Sequence, residues 1–449
     1  MLKFLLLILT VTVGSLSNCL FAQDFTSYFT GHPFNRQASP EGGVCMMGGG
    51  TEHDEAMRWF LTRADSGDIL VLRASGEDGY NSYMYSELGV PVNSVETIVF
   101  NNANASNAPY VQNKIRQAEA IWFAGGDQWD YVQYWRSTPI DSLINDAIAN
   151  RNIVIGGTSA GMAILSKFYF TSQNGTVTSP QALSNPYNPL ITVDSTHFLD
   201  IDFLHDVVTD THYDTRDRYG RHVVFLARIL TDFGVIPRGI ACNENAAVCV
   251  DESGLARVFG NYPDFQEAVY FLQTNCELEN FSPENCSPSE PLNWNLGGTA
   301  VRVCKVYGTD FGNGSFDLWD WELSSGGEWE NWYVEEGVLT RTDGAQIDCD
   351  VSPVDDRTAP TPSHFQLVKT YPNPFNHSTT IQFELARAAH IQLTAYDIQG
   401  RQVALLVNGL LSSGTHNVTW DCTSCSSGIY LIELRSEGQL QIEKAMLLR

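Results

Sequence analysis

Between residues 40 and 260, short apolar runs alternate with stretches whose apolar positions recur every three or four residues. "GVCMM" runs into Gly48-Gly49-Gly50, and "EAMRWFLTRA" behind it carries a helical period. "DILVLRA" and "ETIVF" read as strands, "AEAIWFAGGDQ" as strand then turn, and "WDYVQYW" as the start of a helix. "NIVIG" is a strand that enters "GGTSAG", with a helical segment after it. "GIACNENAAVCVD" and "LARVFG" read as strands of a later hairpin. Such alternation predicts an α/β fold with a largely parallel sheet and helices on both faces. In sheets of this kind the ligand site lies at the carboxyl ends of the strands. Gly49, Gly126 and Ser159 all fall at such ends.

From about residue 262 the pattern changes. "CELENFSPENCSPSEPLNWNLGG" is loop-like, and "AVRVCKVYG" with "FDLWDWELSSGGEWENWYVEEGVLT" reads as short strands that elaborate the first domain. The tryptophans there read as packing rather than as a sugar-binding strip. A Pro- and Asp-rich linker follows over 348–364. Beyond it "TTIQFEL", "HIQLTAYD", "QVALLV", "THNVTW", "GIYLIELR" and "QIEKAMLLR" alternate apolar with polar residues. This predicts a small all-β sandwich of immunoglobulin-like kind over 365–449. Residues 361–449 hold six basic and six acidic side chains, whereas the whole chain carries a formal net charge of −26. The acidity therefore belongs to the first domain, placed at 24–347, and the neutral second domain is independent of it.

The opening residues set the compartment. Lys3 precedes an apolar run from Phe4 to Val13, and "LFAQ" follows. This is the pattern of a secretory signal peptide over 1–23, cleaved near Ala22 or Gln23. A membrane span needs roughly 20 apolar residues, more than the run offers. So acidic a chain is not expected to bind nucleic acid or anionic membranes. Of the ten cysteines, Cys19 leaves with the signal. Secretion permits disulfides: Cys276 and Cys286 share a polar loop and could pair, and Cys422-x-x-Cys425 reads as a local disulfide, while the full pairing is not set by the sequence. No second CxxC or His pair has zinc spacing, and Thr51, Glu52 and His53 after the triple glycine break a GxGxxG pattern. Neither a metal nor a nucleotide cofactor is expected.

Gly157-Thr158-Ser159-Ala160-Gly161 is the strongest chemical signal. A G-x-S-x-G turn between strand and helix lifts a serine above the sheet and frees its approach. The N–H of Ala160 would then face a developing oxyanion. A base must take the serine proton, and His197, His205, His212 and His222 are the candidates that follow. "VTDTHYDTRDRYGRHVVFLARIL" crowds Asp210, His212, Asp214, Arg216, Arg218 and Arg221 together. A helix beginning near Asp214 or Thr215 would put Arg218 and Arg221 on one face, where guanidiniums can clamp a carboxylate. Metal binding by His205, Asp210 and His212 fits no standard ligand set.

"WFAGGDQ", "GGTSAGMA", "DTHYDTRDRYGRHV" and "GIACNENAAVCV" resemble the signature segments of cyanophycinases, in family order. These are serine exopeptidases of family S51, related to the peptidase E group. The resemblance runs over residues 40–260 and implies a three-layer α/β sandwich like that of class I glutamine amidotransferases. It implies Ser159 as nucleophile, His212 as base and Glu244 as the acid that orients it. Gly126 with Ala160 would form the oxyanion hole. Gln128, Asp210, Thr211, Arg216, Arg218 and Arg221 would line the substrate pocket. The implied substrate is cyanophycin, cut into β-aspartyl-arginine dipeptides, with Asp210 facing the substrate guanidinium. The family carries Gln before the base where this chain has Thr211, which removes an amide donor and acceptor. Other readings of the same scaffold are a serine peptidase for acidic or isoaspartyl peptides, and a catalytically silent surface-binding protein. A homodimer is compatible with the chain.

"YPNPFNHSTTIQFEL", "AYDIQGRQVALLV", "SSGIYLIEL" and the final "EKAMLLR" are similar to C-terminal sorting domains of the type IX secretion route. That resemblance implies the type IX machinery as a partner, export across the outer membrane, and a secreted or surface-bound product.

Overall fold

A computed structural model describes residues 23–349, 365–385, 389–397, 401–412, 414–423, 425–436 and 439–448. The expected signal peptide, but for Gln23, and the expected linker, but for 348–349, lie outside the described residues. Among the described residues no helix is long and apolar enough to cross a membrane.

The first half of the chain builds one side of the molecule. In order it forms β1 (Phe25–Gly31), β2 (Gly43–Met47), α1 (Asp54–Arg63), β3 (Asp68–Arg73), α2 (Gly79–Ser82), β4 (Ser94–Phe100) and α3 (Pro109–Gln117). β5 (Ala120–Phe123), α4 (Gln128–Trp135), α5 (Pro139–Arg151), β6 (Val154–Thr158) and the single turn α6 (Ala160–Ala163) follow. The strands β4, β3, β5, β6 and β2 lie side by side and pair in parallel. Alternate side chains go to opposite faces, as the two-residue strand period requires. Cys45, Met47, Val71 and Trp122 pack with Ala56, Met57 and Phe60 of α1. Val44, Met46, Leu72 and Phe123 face the other way, onto Val111 and Ile115 of α3, Trp135 of α4, and Ile140 and Ile144 of α5. Helices thus cover both faces of the parallel block, as the alternation predicts. α4 starts where the Asp127 carboxylate accepts the Trp129 N–H, at 2.9 Å. α5 starts where Thr138 Oγ1 accepts the Ile140 N–H, with Pro139 in its first turn.

The second half departs from a parallel sheet. A short hairpin of β7 (Tyr169–Phe170) and β8 (Val193–Asp194) brackets α7 (Ser179–Ser184), and β9 (Val207–Asp210), α8 (Tyr219–Phe233) and β10 (Arg238–Cys242) come next. Then follow β11 (Ala247–Asp251), β12 (Leu255–Phe259), β13 (Ala268–Thr274), β14 (Val301–Tyr307), β15 (Gly314–Asp317), β16 (Ser324–Ser325), β17 (Gly327–Glu335) and β18 (Val338–Asp343). The large sheet has the order β1-β4-β3-β5-β6-β2-β11-β12-β15-β16, and its additions beyond β2 are antiparallel. A second sheet has the order β18-β17-β14-β13-β10-β9, parallel only between β9 and β10.

The second half of "GIACNENAAVCVD", β11, forms the expected hairpin with β12 of "LARVFG", whereas its first half, β10, is a separate strand. β10 belongs to the second sheet and β11 to the first, and residues 243–246 carry the chain between them. One face of the second sheet, through Ile240, Cys242, Phe271 and Val306, shares the core of the first. Its other face, through Ala241, Tyr270, Leu272 and Val303, packs on Val223, Leu226 and Ala227 of α8.

The C-terminal strands β19 (Phe365–Tyr371), β20 (Ser378–Leu385), β21 (Ala389–Asp397), β22 (Gln402–Leu411), β23 (Gly414–Asp421), β24 (Gly428–Ser436) and β25 (Gln439–Leu447) are antiparallel throughout. They form one sheet of three strands and one of four. Ile381, Phe383, Ile391, Leu393, Trp420, Ile432 and Leu434 meet in a separate apolar core. This is the expected sandwich.

Cys422 pairs with Cys425 as expected. Cys276, however, pairs with Cys349, 73 positions away, and Cys286 stays a half-buried free thiol. Cys286 packs instead beside α8 among apolar side chains. Proximity in sequence does not decide this pairing: Cys286 is packed against another core while Cys349 comes up to Cys276.

Candidate active site

β6 is buried along its whole length and ends at Ser159, whose backbone sits at φ 52°, ψ −114°. A non-glycine residue there is strained by roughly 1–3 kcal/mol, so the surroundings must hold it. The Ser159 N–H donates to the Met47 carbonyl at 3.0 Å, tying the turn to the end of β2. The flanking glycines are obligatory. A Cβ on Gly157 would lie 2.6 Å from the Gly161 carbonyl carbon, and one on Gly161 would overlap the Phe123 carbonyl oxygen. The helical segment expected behind the motif is the single turn α6, with the Ala163 N–H on the Ser159 carbonyl at 3.0 Å.

His212 lies just past β9, at φ 46°, and its N–H donates to the Gly48 carbonyl at 2.7 Å. Glu244 sits on the crossover between the two sheets. That crossover is tied to the same glycine turn, with Asn245 N–H on the Gly49 carbonyl at 2.8 Å and Gly48 N–H on the Ala246 carbonyl at 3.1 Å. Three distant segments therefore converge on Met47–Gly49. Ser159 Oγ lies 2.8 Å from His212 Nε2, and His212 Nδ1 lies 2.5 Å from Glu244 Oε1. An Nδ1–H donated to the carboxylate leaves Nε2 free to accept the serine proton.

Burial is the main influence on His212, and with Arg216 and Arg218 it holds the imidazole below its usual value, against the pull of Glu244. The ring is then neutral near pH 7. The hydrogen bond from His212 keeps the Glu244 carboxyl below the ordinary range, so it is ionised.

The other three histidines are placed elsewhere. His222 is fully buried, with Nε2 on the Val208 carbonyl and Nδ1 on the Tyr213 hydroxyl, and burial pushes it down to about 4. His197 and His205 are exposed beside Asp200. Only His212 faces Ser159.

The second glycine turn, at 125–126, lies beside the serine: a Cβ on Gly125 would be 3.7 Å from Ser159 Cβ. Tyr131 of α4 fixes that turn, its hydroxyl reaching the carbonyls of Ala124 and Gly125 at 2.9 and 3.0 Å. A Cβ on Gly126 would stand 2.7 Å from the same hydroxyl. Sequence reasoning passed over Tyr131, and also over the triple glycine as a frame for His212. The signal for Tyr131 was its place one turn into the helix that follows "AGGDQ".

The expected pocket cluster separates into an internal pair and an open group. The helix expected from Asp214 or Thr215 begins only at Tyr219, with Arg218 at its N-cap. Arg221 is buried and grips Asp210 with both arms, Nε to Oδ2 at 2.8 Å and Nη2 to Oδ1 at 2.5 Å. Its remaining reach goes to Thr176 Oγ1 and the Val177 carbonyl. Burial opposes ionisation of Asp210, but Arg221 and Arg218 outweigh it and the carboxyl is held below its usual value. Arg218 Nη1 donates to the Thr211 carbonyl and hydroxyl at 2.9 and 3.0 Å. Burial pulls Arg218 down to about 10.

Arg218 and Arg221 do share a carboxylate, but it is the chain's own Asp210, with Arg218 Nη1 at 3.4 Å from Oδ1 beside the two contacts of Arg221. Likewise Asp210 faces Arg221 rather than an open pocket, because two buried ions at this distance satisfy each other. Arg216 alone of the three is exposed, close enough to act on both His212 and Glu244. Gln128, half-buried at the start of α4, reaches the Phe170 carbonyl at 3.4 Å. Among the described residues no group of three His, Cys, Asp or Glu side chains is arranged to hold a metal.

Comparison with known proteins gives two family matches. Residues 74–258 match the model described as peptidase family S51, and residues 369–448 match the secretion system C-terminal sorting domain. Curated relatives include cyanophycinases of Synechococcus elongatus and of Thermosynechococcus vestitus. Each is 24% identical over 235 residues, covering 50% of this chain and 67% of the relative. Solved structures that the chain matches include a peptidase from an acI-B1 Actinobacterium, at 16% identity and TM-score 0.38, covering 52% of this chain and 91% of that one. A putative peptidase E protein from Listeria monocytogenes EGD-e has 16% identity and TM-score 0.31, covering 49% and 97%. The S51 match accounts for the glutamine amidotransferase-like α/β architecture with its large mixed sheet. The sorting domain indicates the type IX secretion route, hence a secreted or cell-surface protein.

Proposed function

We propose that this serine-type peptidase, whose residues 74–258 match family S51, hydrolyses β-aspartyl-arginine units of a cyanophycin-like polymer to dipeptides. The observation that carries the reading is the line Ser159 Oγ–His212 Nε2–Glu244, at 2.8 and 2.5 Å. Ser159 Oγ attacks the scissile carbonyl carbon while His212 Nε2 takes its proton. Glu244 holds the Nδ1–H tautomer and offsets the charge on the imidazolium. The N–H groups of Ala160 and of the 125–126 turn, with Gly126, receive the oxyanion. His212 then gives its proton to the leaving amine. Water, deprotonated by His212, frees the acyl group from Ser159.

The chemistry around Arg216 supports recognition of a carboxylate, since an exposed guanidinium close to the base His212 is a ready partner for one. In this reading Gln128 and Thr211 line the substrate pocket, and the buried Asp210, Arg218 and Arg221 hold its wall. A second reading, a serine peptidase for acidic or isoaspartyl peptides, draws on the closure of Asp210 by Arg221, which withdraws the anion expected to meet a substrate guanidinium. In both readings the sorting domain engages the type IX machinery, and the peptidase acts outside the outer membrane or anchored to the cell surface.

The test is incubation of the mature chain with cyanophycin, with β-aspartyl-arginine peptides and with acidic α- and isoaspartyl peptides, beside Ser159→Ala. Release of β-aspartyl-arginine by the wild type alone supports the first reading. Turnover confined to the other peptides supports the second. Absence of turnover and of labelling by serine-directed reagents would leave a silent binding protein.

A further inference from the structure

Strands β13–β18 lie beyond the segment that matches family S51, yet they build a cleft against the catalytic loops. The cleft holds about 450 Å³. Asp214, two residues past His212, and Asn243, immediately before Glu244, form one wall, and Lys305, Glu330, Arg341 and Asp343 form the other. The two walls thus come from the loops that carry the base and its acid, and from strands β14, β17 and β18.

The charges here are held apart. The Arg341 guanidinium lies 4.2 Å from the Tyr219 ring centre and 5.6 Å from that of Trp332. Lys305 Nζ lies 5.8 Å from the Tyr270 ring and donates to the Tyr307 hydroxyl at 2.6 Å. Cations on aromatic faces are stabilised without an anion. Among the described residues, neither cation is within ion-pair distance of Asp214, Glu330 or Asp343, which share the cleft with them. Asn243 adds a buried Oδ1 without a hydrogen-bond partner, while its Nδ2 donates to the Gln266 carbonyl at 3.2 Å.

We propose that this cleft is a subsite for the substrate unit adjoining the scissile bond, and that it recognises a zwitterionic, guanidinium-bearing branch. The proposal rests on the β-aspartyl-arginine reading above. An arginyl branch joined through its α-amino group keeps a free α-carboxylate and a guanidinium. The carboxylate matches Lys305 and Arg341, and the guanidinium matches Asp214, Glu330 and Asp343. Glu330 accepts the Trp332 Nε1–H at 2.6 Å and Asp214 the Thr215 N–H at 2.8 Å, so neither charge is neutralised. A purely acidic peptide would bring its carboxylates against three anions, and a purely basic one would meet two cations. Only a ligand carrying both charges satisfies the lining, so the cleft selects between the two substrates considered above.

The experiment is calorimetric binding to full-length Ser159→Ala, using a short β-aspartyl-arginine oligomer, the single dipeptide unit and polyaspartate. The oligomer is expected to bind roughly tenfold tighter than either of the others, the gain of one or two charge-assisted hydrogen bonds. Arg341→Gln and Asp343→Asn, each added to Ser159→Ala, are expected to remove most of that gain and to leave dipeptide binding unchanged. Equal affinity for oligomer and polyaspartate, no binding of the oligomer, or no effect of either cleft variant would overturn the proposal. Selective oligomer binding together with no dipeptide release by the wild type would uphold the cleft and sink the proposed reaction. Dipeptide release with indifferent cleft variants would do the reverse.

Discussion

Gly49 is packed so closely on the imidazole of His212 that a Cβ there would overlap Cε1 and stand 2.5 Å from Nε2, the atom that faces Ser159. The turn also holds φ +100°, a conformation open to glycine. Gly49→Ala is expected to push the ring off the serine and lower kcat/KM by roughly 100-fold, as a displacement of about 1 Å does. Gly89→Ala is the control, since Gly89 also has positive φ but open space around it. It should cost about 1–2 kcal/mol of stability and leave kcat/KM unchanged. Equal kcat/KM for the two variants would refute a steric role for Gly49.

Glu244 should matter through the ring rather than through substrate. Glu244→Gln removes the carboxylate that holds the Nδ1–H tautomer, and kcat is expected to fall by roughly 10⁴-fold with KM little changed. Ser159→Ala should cost roughly 10⁶-fold. A Glu244→Gln enzyme with near-normal kcat would remove the acid from the proposed mechanism.

The pH profile carries a direction. His212 must be neutral to accept a proton, and burial, with help from Arg216 and Arg218, lowers its pKa. The acid limb of kcat/KM is therefore expected below the ordinary imidazole value of about 6.5. Arg216→Gln removes one of the lowering charges and should move that limb upward. A limb that moves down, or stays, in Arg216→Gln would show that Arg216 does not act on the base.

Asp210 and Arg221 predict a stability effect. Arg221→Met leaves the buried Asp210 carboxylate with only the longer 3.4 Å contact of Arg218 and is expected to cost about 3–5 kcal/mol in denaturant unfolding, whereas the apolar pair Asp210→Leu/Arg221→Met should recover much of it. The Asp210 pKa is depressed on folding, so its contribution is present above the unfolded value of about 3.9 and is lost as pH falls through the folded value. Asp210→Asn should flatten the loss of stability below about pH 4. Full recovery of kcat in the apolar pair would further separate this role from substrate binding.

Peptide mapping under non-reducing conditions is expected to recover Cys276 joined to Cys349, with Cys286 as a free, alkylatable thiol. The closed loop of 73 positions corresponds to about 4 kcal/mol in the chain-entropy account, so Cys349→Ser should destabilise by that order and Cys286→Ser hardly at all. Recovery of a 276–286 peptide pair would overturn this pairing.

Much was written along the chain itself. Two-residue and three-to-four-residue periods marked β2 through β6 and their helices, because each side chain there answers to one buried face. Gly157 and Gly161 announced the Ser159 turn, since only glycine tolerates the contacts on either side. The sorting domain was legible for the same reason, as a run of alternating strands with its own core. What the linear order could not carry was which distant groups would neutralise one another. Arg218, Arg221 and Asp210 looked like a substrate clamp, but Arg221 folds inward onto Asp210, where two ions removed from water must pair. The hairpin of β11 and β12 was legible, but the segment expected as its first arm is split at Glu244 between two sheets, and Cys276 found Cys349 instead of its neighbour. Periodicity reports the environment of a single position; pairing, crossover and the meeting of Ser159, His212 and Glu244 over Gly49 depend on distances that only the packed chain sets.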